Sequence, residues 1–316
     1  MTARFFLVKL LRAMLTLLLV VSFVFVILRV SGDPTDILLP DDATADTIEY
    51  YRTAWGLDKP LHEQYFAYIV NVLHGNFGDS LRDNRDALQV VLERVPATLQ
   101  LGLSALLFAL ALGVPLGIYA ALHRNSIIDR LTMSFAVLGY SMPNYFLGIL
   151  LIMLFAMNLQ WLPSSGSATF WHALMPVATL GLASPSSSAG ALARFARSAM
   201  LEVLSQSYMR TAKAKGVPRL RRIAWHAVPN AAIPIVTILG FKIGDLIAGA
   251  VVVEVVFAWP GIGRLLAGSV ATRDLPVVQA LFIIVATTMV LSNLIVDLLY
   301  GWLDLRVRSV GGKATA

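Results

Sequence analysis

The sequence predicts an all-α polytopic membrane protein, with six transmembrane helices and both termini on the cytoplasmic side. Three observations carry this. Apolar residues make up 57% of the 316 and charged residues only 14%, for a mean hydropathy of +0.72. The apolar residues gather into repeated runs long enough to cross a hydrocarbon core of about 30 Å, which a soluble protein lacks. The basic residues sit in short segments between those runs. A net charge of +6 would suit a nucleic-acid binder, but this clustering points to a membrane surface. The chain has no cysteine, so neither a disulfide nor a thiolate can carry the function.

Residues 1–28 hold the first span, about Leu10 to Leu28. Its apolar run is longer than a signal-peptide core and no small-x-small site follows closely, so an uncleaved span is expected. Arg4 to Arg12 suit a helix lying on lipid before the span begins. Residues 29–95 form a polar segment with twelve acidic and six basic residues. It is too rich in Tyr, Phe, Trp and Leu for a plain linker, and Thr44–Trp55 and His62–Leu73 are its helix candidates.

Residues 96–303 form a five-span core. Span two, about Ala97 to Leu122, starts after Pro96, and Pro115 bends it. Span three runs from about Leu131 to Leu159, with a kink or irregular backbone at Ser141–Pro143. Span four, about Leu174 to Leu192, is soft: Gly181, Ser184, Pro185, Ser186, Ser187, Ser188 and Gly190 suit close packing or a polar cavity. Span five is about Ile233 to Phe257 and span six about Pro276 to Leu299, followed by a basic tail, 304–316.

Orientation follows from short-loop charge. Loop 159–173 has no Lys or Arg, whereas loop 123–130 has two and the segment 193–232 has eight. The basic side is cytoplasmic.

Within 193–232, helix formers over Met209 to Lys215 end at Gly216, a residue able to turn left-handed beyond a helix. Pro218 opposes continuation, and a second short helix is expected from Arg219 to Val228, before Pro229. Its Arg219, Arg221 and Arg222 offer forked donors to carboxylates or phosphates. Two readings stand: a docking element for a cytoplasmic partner, or a cationic anchor on anionic lipid.

Polar residues at apolar depth have the same double reading. Asp245 follows Lys242 by about one turn and suits an internal ion pair or a translocation path. Glu254 suits ordering of the turn Trp259–Gly263 through backbone N–H groups, or substrate contact. Asp297 suits a clamp on Arg306 or Arg308, and Asn293 an interhelical hydrogen bond. Ser184, Ser187 and Ser188 suit a pathway surface or helix packing with back-bonded hydroxyls. The five histidines, at 62, 74, 123, 172 and 226, show no metal-ligand spacing. No phosphate-cradling loop with Gly-Lys-Ser/Thr is present, and Gly261-Ile-Gly263 lacks the rest of a dinucleotide fingerprint.

Tyr208-Met-Arg-Thr-Ala-Lys-Ala-Lys-Gly216, His226-Ala-Val-Pro-Asn230 and Ile233-Pro-Ile-Val-Thr237 resemble the cytoplasmic loop of binding-protein-dependent ABC importer permeases. The dipeptide/oligopeptide/nickel branch, in the first of its two paired permease types, is most similar. Further matches are Gly32-Asp-Pro34, Gly75-Asn-Phe-Gly-Asp-Ser80, Glu93-Arg-Val-Pro-Ala-Thr98, Trp161-Leu-Pro163 with Gly166, and Glu254-Val-Val-Phe257. Trp259-Pro-Gly-Ile-Gly263, Arg273-Asp-Leu-Pro-Val-Val278 and Asn293-Leu-Ile-Val-Asp-Leu-Leu-Tyr300 complete a resemblance over essentially the whole chain. Thr211-Ala-Lys-Ala, Pro229 and Leu305 depart from the pattern.

The resemblance implies a non-catalytic transport subunit of the bacterial inner membrane that moves dipeptides or short oligopeptides. Glutathione, a nickel chelate or a sugar oligomer is the alternative cargo. Implied partners are a second permease, two cytoplasmic ATPases carrying ATP and magnesium, and a periplasmic or lipoprotein binding protein. No cofactor or metal is expected on this chain. ATPase coupling would fall to Tyr208, Arg210, Ala212, Lys215, Gly216, Val217, Pro218, Arg219, Arg221 and Arg222. An ion-driven secondary transporter would usually show more spans and an inverted repeat. A membrane enzyme would need a convergent acid–base or metal set that the sequence does not supply.

Overall fold

A computed structural model of the chain describes residues 3–30, 58–184, 188–236 and 250–303, with positions 44, 46, 49, 52 and 53. The described residues are helical or irregular; one isolated antiparallel bridge, Asp79 to Asp86, is the exception. The chain divides into two compact units: residues 1–95 with 265–316, and residues 96–264.

In the first unit, α1 (Ala3–Val30) is one continuous helix, so no separate surface helix precedes the span. It packs along α13 (Leu275–Leu303) and against α2 (Leu61–Leu73). Of the candidate helix over Thr44–Trp55, seven of the twelve positions lie outside the described residues, and Asp46, Glu49, Arg52 and Thr53 are helical. After α2 the chain turns twice through the left-handed region, at Gly75 (φ 73°) and Gly78 (φ 85°). Asp86 then caps α3 (Ala87–Leu92) by accepting from the Gln89 N–H at 2.8 Å, and α3 packs on α13. Buried Asp274 accepts from the Ser80 hydroxyl at 2.6 Å and the Leu81 N–H at 3.2 Å. Two stretches almost 200 residues apart in sequence, at 75–80 and 273–278, meet there.

The second unit is built on α4 (Val95–Leu122), which contains Pro115. Around it stand α5 (Ile127–Ser141), α6 (Asn144–Leu151) with a wide π turn at Ile152–Asn158, α7 (Phe170–Ala183) and α8 (Ala189–Ser205). Small residues let these backbones close up. A side chain at Gly113 or Gly117 would land on the carbonyls of Ala189 and Ala193, and one at Gly190 on the backbone of Ala136. These contacts follow the small-xxx-small rule of membrane helix packing. Three apolar layers follow α4 along its length. Leu101 and Ala105 meet Met175, Leu180, Phe257 and Trp259; Ala109 meets Ala189 and Leu192; Ala121 meets Met200 and Met209.

Among the described residues, three helices are long and apolar enough to span a membrane: Leu7–Ile27, Ala87–Leu122 and Leu275–Leu294. The pair Ile127–Gly139 and Asn144–Asn158, bent by 102° at the Ser141–Pro143 step, makes a fourth if taken as one span. The count of six therefore stands only in part. Most of expected span five, 237–249, lies outside the described residues. Expected span four is not one helix. Ser184, preceding a proline, adopts extended angles (φ −76°, ψ 127°) and ends α7, because proline disfavours helical geometry in the residue before it. Ser188 then starts α8, its hydroxyl accepting from the Ala191 N–H.

Candidate functional site

The basic segment folds as an arm of helices rather than a loop. After α8, Gln206 is extended (φ −66°, ψ 151°) and α9 (Ser207–Ala214) begins. Gly216 ends it at φ 77°. The Gly216 N–H bonds the Lys213 carbonyl and the Val217 N–H the Ala212 carbonyl, at 3.0 and 3.1 Å. This is a Schellman stop, which requires a left-handed residue at that position. An added Cβ on Gly216 would meet no atom within 4 Å, so only the backbone angle calls for glycine.

Pro218 opens α10 (Arg219–Arg222), which continues through a π turn at Ile223–Ala227 into helical residues 228–236. The second helix was expected to stop before Pro229, and it does not. Proline in a helix loses an N–H and collides with the carbonyl four residues back, here Trp225. The widened turn contains Trp225, so the collision is relieved by one extra residue per turn. The Asn230 side chain donates to the His226 carbonyl at 2.7 Å across the same place.

One face of the arm is anchored. Buried Met209, Ala227 and Ala231 pack with Ala199, Met200 and Ala121, and with Ile118 and Leu122 at the end of α4. The other face is open. Arg210, Lys213, Lys215, Arg219 and Arg221 are exposed, and no described carboxylate pairs with them. Among them Leu220 and Trp225 stand 80% and 75% exposed, and Tyr208 is also exposed. Arg222, Ala212 and Val217 are half-buried.

An ion pair absent from the sequence expectations ties α8, the helix that leads into the arm, to α5. Arg197 of α8 grips Asp129 with two donors, Nε to Oδ1 at 2.5 Å and Nη2 to Oδ2 at 2.7 Å. Asp129 also accepts from the Asn125 N–H at 2.9 Å and is almost fully buried. The hydrogen bond to Asp129 raises the Arg197 guanidinium above its already high value, so the arginine stays charged.

A second polar cluster surrounds Glu254, which is 0% exposed at the N-terminal end of α12 (Ile262–Ala271), on α11 (Val251–Val256). Its Oε2 accepts from the N–H groups of Gly263 (2.7 Å) and Arg264 (3.2 Å), and its Oε1 from the Thr98 hydroxyl (2.6 Å). Thr98 Oγ1 accepts from the Ile262 N–H at 2.9 Å. A carboxylate bonded to the free N–H groups of a helix start also meets the positive end of its dipole. A side chain at Gly261 would fall on that carboxylate. The Trp259 indole donates to the Ala97 carbonyl (2.9 Å), and the Gly166 N–H to the Phe257 carbonyl (2.9 Å). Four stretches quoted from the sequence, around 98, 166, 254–257 and 259–263, thus converge on one node.

Of the remaining candidates, Ser188 is buried as the α8 cap and Ser184 lies at the α7 end, half-buried. Ser187 and Asp245 lie outside the described residues. Asn293 is exposed on α13; the side chain of Asp297 and all of Arg306 and Arg308 lie outside the described residues. His74 and His123 each bond the carbonyl four residues earlier, at 2.8 and 3.0 Å. Among the described residues no three His, Asp or Glu side chains gather as a metal site.

Two family descriptions match the chain. The inner-membrane component of binding-protein-dependent transport systems covers residues 113–309, and the N-terminal membrane component of the same systems covers residues 2–102. The chain belongs to this permease family. It is an ABC importer permease of the peptide/nickel branch and a multi-pass inner-membrane protein. Curated relatives include the glutathione transport system permease proteins GsiC of Salmonella paratyphi A and Salmonella typhimurium, each 42% identical over 294 residues. GsiC of Escherichia coli is 41% identical over the same length. In each case 93% of this chain and 95% of the relative are covered.

Two features of the permease were visible to sequence reasoning and not used by it. Gly113-Val-Pro-Leu-Gly117 is a small-xxx-small motif in an apolar run. Asp129 is the lone acid of a basic loop, which marks it as a partner for a cation.

Proposed function

We propose that the permease carries short peptides through an ATP-driven importer, with glutathione-like tripeptides first among them. The arm is the observation that carries this reading. A rigid bend at Gly216 presents exposed cations and two exposed apolar side chains, while buried Met209 and Ala227 fix the same bend to α4. Such a knob is suited to transmit movement of a partner into the spans as a rigid-body or hinge transition.

On this reading the arm is cytoplasmic, and six spans leave both termini on that side. Tyr208, Arg210, Ala212, Lys215, Gly216, Val217, Pro218, Arg219, Arg221 and Arg222 form the contact with an ATPase. A second permease completes the path, two ATPases hold ATP and magnesium, and a binding protein delivers cargo. The permease itself does no covalent chemistry. The peptide cargo is supported by the branch and by the 42% identity to permeases named for glutathione transport.

The test is reconstitution of the four-component complex in vesicles, with the ligand that copurifies with the binding protein. ATP-dependent uptake of a short peptide or glutathione is the expected result. Uptake by the permease alone, or selection of a sugar oligomer or nickel chelate over peptides, overturns it.

A further inference from the structure

Helix α2 carries an unexplained face. Phe66, Val70 and Leu73 are 64%, 51% and 79% exposed. Their i, i+4, i+7 spacing aligns them in one stripe along the helix. A second face, with Tyr65 and Tyr68, turns toward α1: both rings contact Phe25, at centroid distances of 5.3 and 5.4 Å. The third, with Glu63, Asn71 and His74, is polar and open. None of the residues of α2 is buried.

The height of α2 along α1 is set by these ring contacts and by one hydrogen bond. The Tyr65 hydroxyl lies 2.6 Å from Ser22 Oγ. Ser22 gives its own proton to the Leu18 carbonyl at 2.7 Å, so Tyr65 is the donor. Ser22 and Phe25 belong to the apolar run Leu7–Ile27, near its C-terminal end. At that level α1 exposes Phe23, Val26 and Ile27. A helix moored there lies within the depth of the bilayer's edge, not above it.

We propose that α2 is an interfacial helix, lying in the headgroup–acyl boundary of the leaflet at the C-terminal end of α1. Phe66, Val70 and Leu73 enter the acyl chains, the tyrosine face seats on α1, and the polar face meets water. The stripe lies on a helix moored at the level where α1 also exposes Phe23, Val26 and Ile27, which makes lipid its occupant rather than a soluble protein. Helices with one apolar and one polar face bind in this zone, about 5–10 Å into the boundary. The role is to brace the first span and fix the level of the segment that follows α2.

This chain has no cysteine, so within the permease the label falls only on the chosen position. Val70→Cys, Leu73→Cys and Asn71→Cys are each spin-labelled in the full chain within its complex. The complex is reconstituted in phosphatidylethanolamine–phosphatidylglycerol vesicles. Collision with oxygen, which concentrates in acyl chains, is compared with collision with a water-soluble nickel chelate. The expected oxygen-to-nickel ratio is several-fold higher at positions 70 and 73 than at 71. Equal nickel access at 70 and 71 places the stripe in water and overturns the proposal. Low access to both reagents at 70 and 73 means a protein covers the stripe, and overturns it equally. Two labelled stripe positions guard against a single variant that fails to insert.

Discussion

The arm at 207–236 and the node around Glu254 use the same parts to opposite ends. Each places a bend at a glycine near a proline, and each concentrates polar groups next to an apolar layer. At the node every polar group is answered inside the permease: the Glu254 carboxylate takes two N–H groups and a hydroxyl, and Thr98 takes a third N–H. On the arm no described carboxylate answers the exposed cations; Arg210 reaches only the Ser205 carbonyl at 3.4 Å, and Trp225 stands 75% exposed. A self-satisfied polar cluster in an apolar setting fixes geometry, because breaking it strands donors with no water to take them. An unsatisfied basic and aromatic face is free to be completed by another molecule. The node is thus the internal joint of the second unit, and on the proposed coupling role the arm is its outward handle.

The largest expected effect falls on the node. Glu254→Ala leaves the Gly263 and Arg264 N–H groups and the Thr98 hydroxyl without their acceptor, at about 1–3 kcal/mol for each. Yield of folded permease after detergent extraction, followed by thermal unfolding, is expected to fall sharply. Glu254→Gln keeps an acceptor oxygen and is expected to recover part of the loss. Wild-type stability in Glu254→Ala would remove the node from its place as a joint.

Next comes the ion pair behind the arm. Asp129→Ala leaves the half-buried Arg197 guanidinium without its partner, and the remaining solvent access keeps the cost below the ~3–5 kcal/mol of a fully buried pair. The loss is expected at α5 and α8, read as faster proteolysis of the arm. The exchanged pair, Asp129→Arg with Arg197→Asp, should restore part of the protection. If single and exchanged variants behave alike, the pair is not what holds α8 to α5.

How much of this is legible in the sequence depends on the range of the interaction. The stop at Gly216, the restart at Pro218 and the break at Ser141–Pro143 are local: residue type dictates them through backbone sterics. The family membership is legible because many short motifs occur in order. The Asp129–Arg197 pair spans 68 residues; the lone acid of its loop marks Asp129, but nothing in the sequence marks Arg197 as its partner. The passage of the helix through Pro229 depends on a π turn, which no composition rule announces. Hydropathy alone joins α7 and the first turn of α8 into one span, because it averages over Ser184 and its following proline without registering the geometry that ends α7.

Gly216→Val separates the two regions by a smaller effect. Since nothing lies within 4 Å of an added Cβ, the cost is the left-handed backbone itself, roughly 1–2 kcal/mol. Insertion and overall thermal stability should be near normal, while peptide-stimulated ATP hydrolysis in the complex falls because α10 is re-aimed. Full stimulation in this variant would show that the bend angle is immaterial to coupling.

The smallest effect on stability, and the sharpest test of the contrast, belongs to Trp225 and Leu220. Both side chains are largely in the open, so Trp225→Ala and Leu220→Ala remove almost no packing within the permease. Exposed substitutions of this kind usually stay within about 0.5 kcal/mol. An interface, by contrast, draws most of its energy from a few aromatic and arginine anchors. The expected outcome is an unchanged unfolding temperature with weaker retention of the ATPase on the purified permease. The comparison breaks if both variants keep the ATPase as firmly as the unaltered chain, because the open face would then not be the one a partner completes.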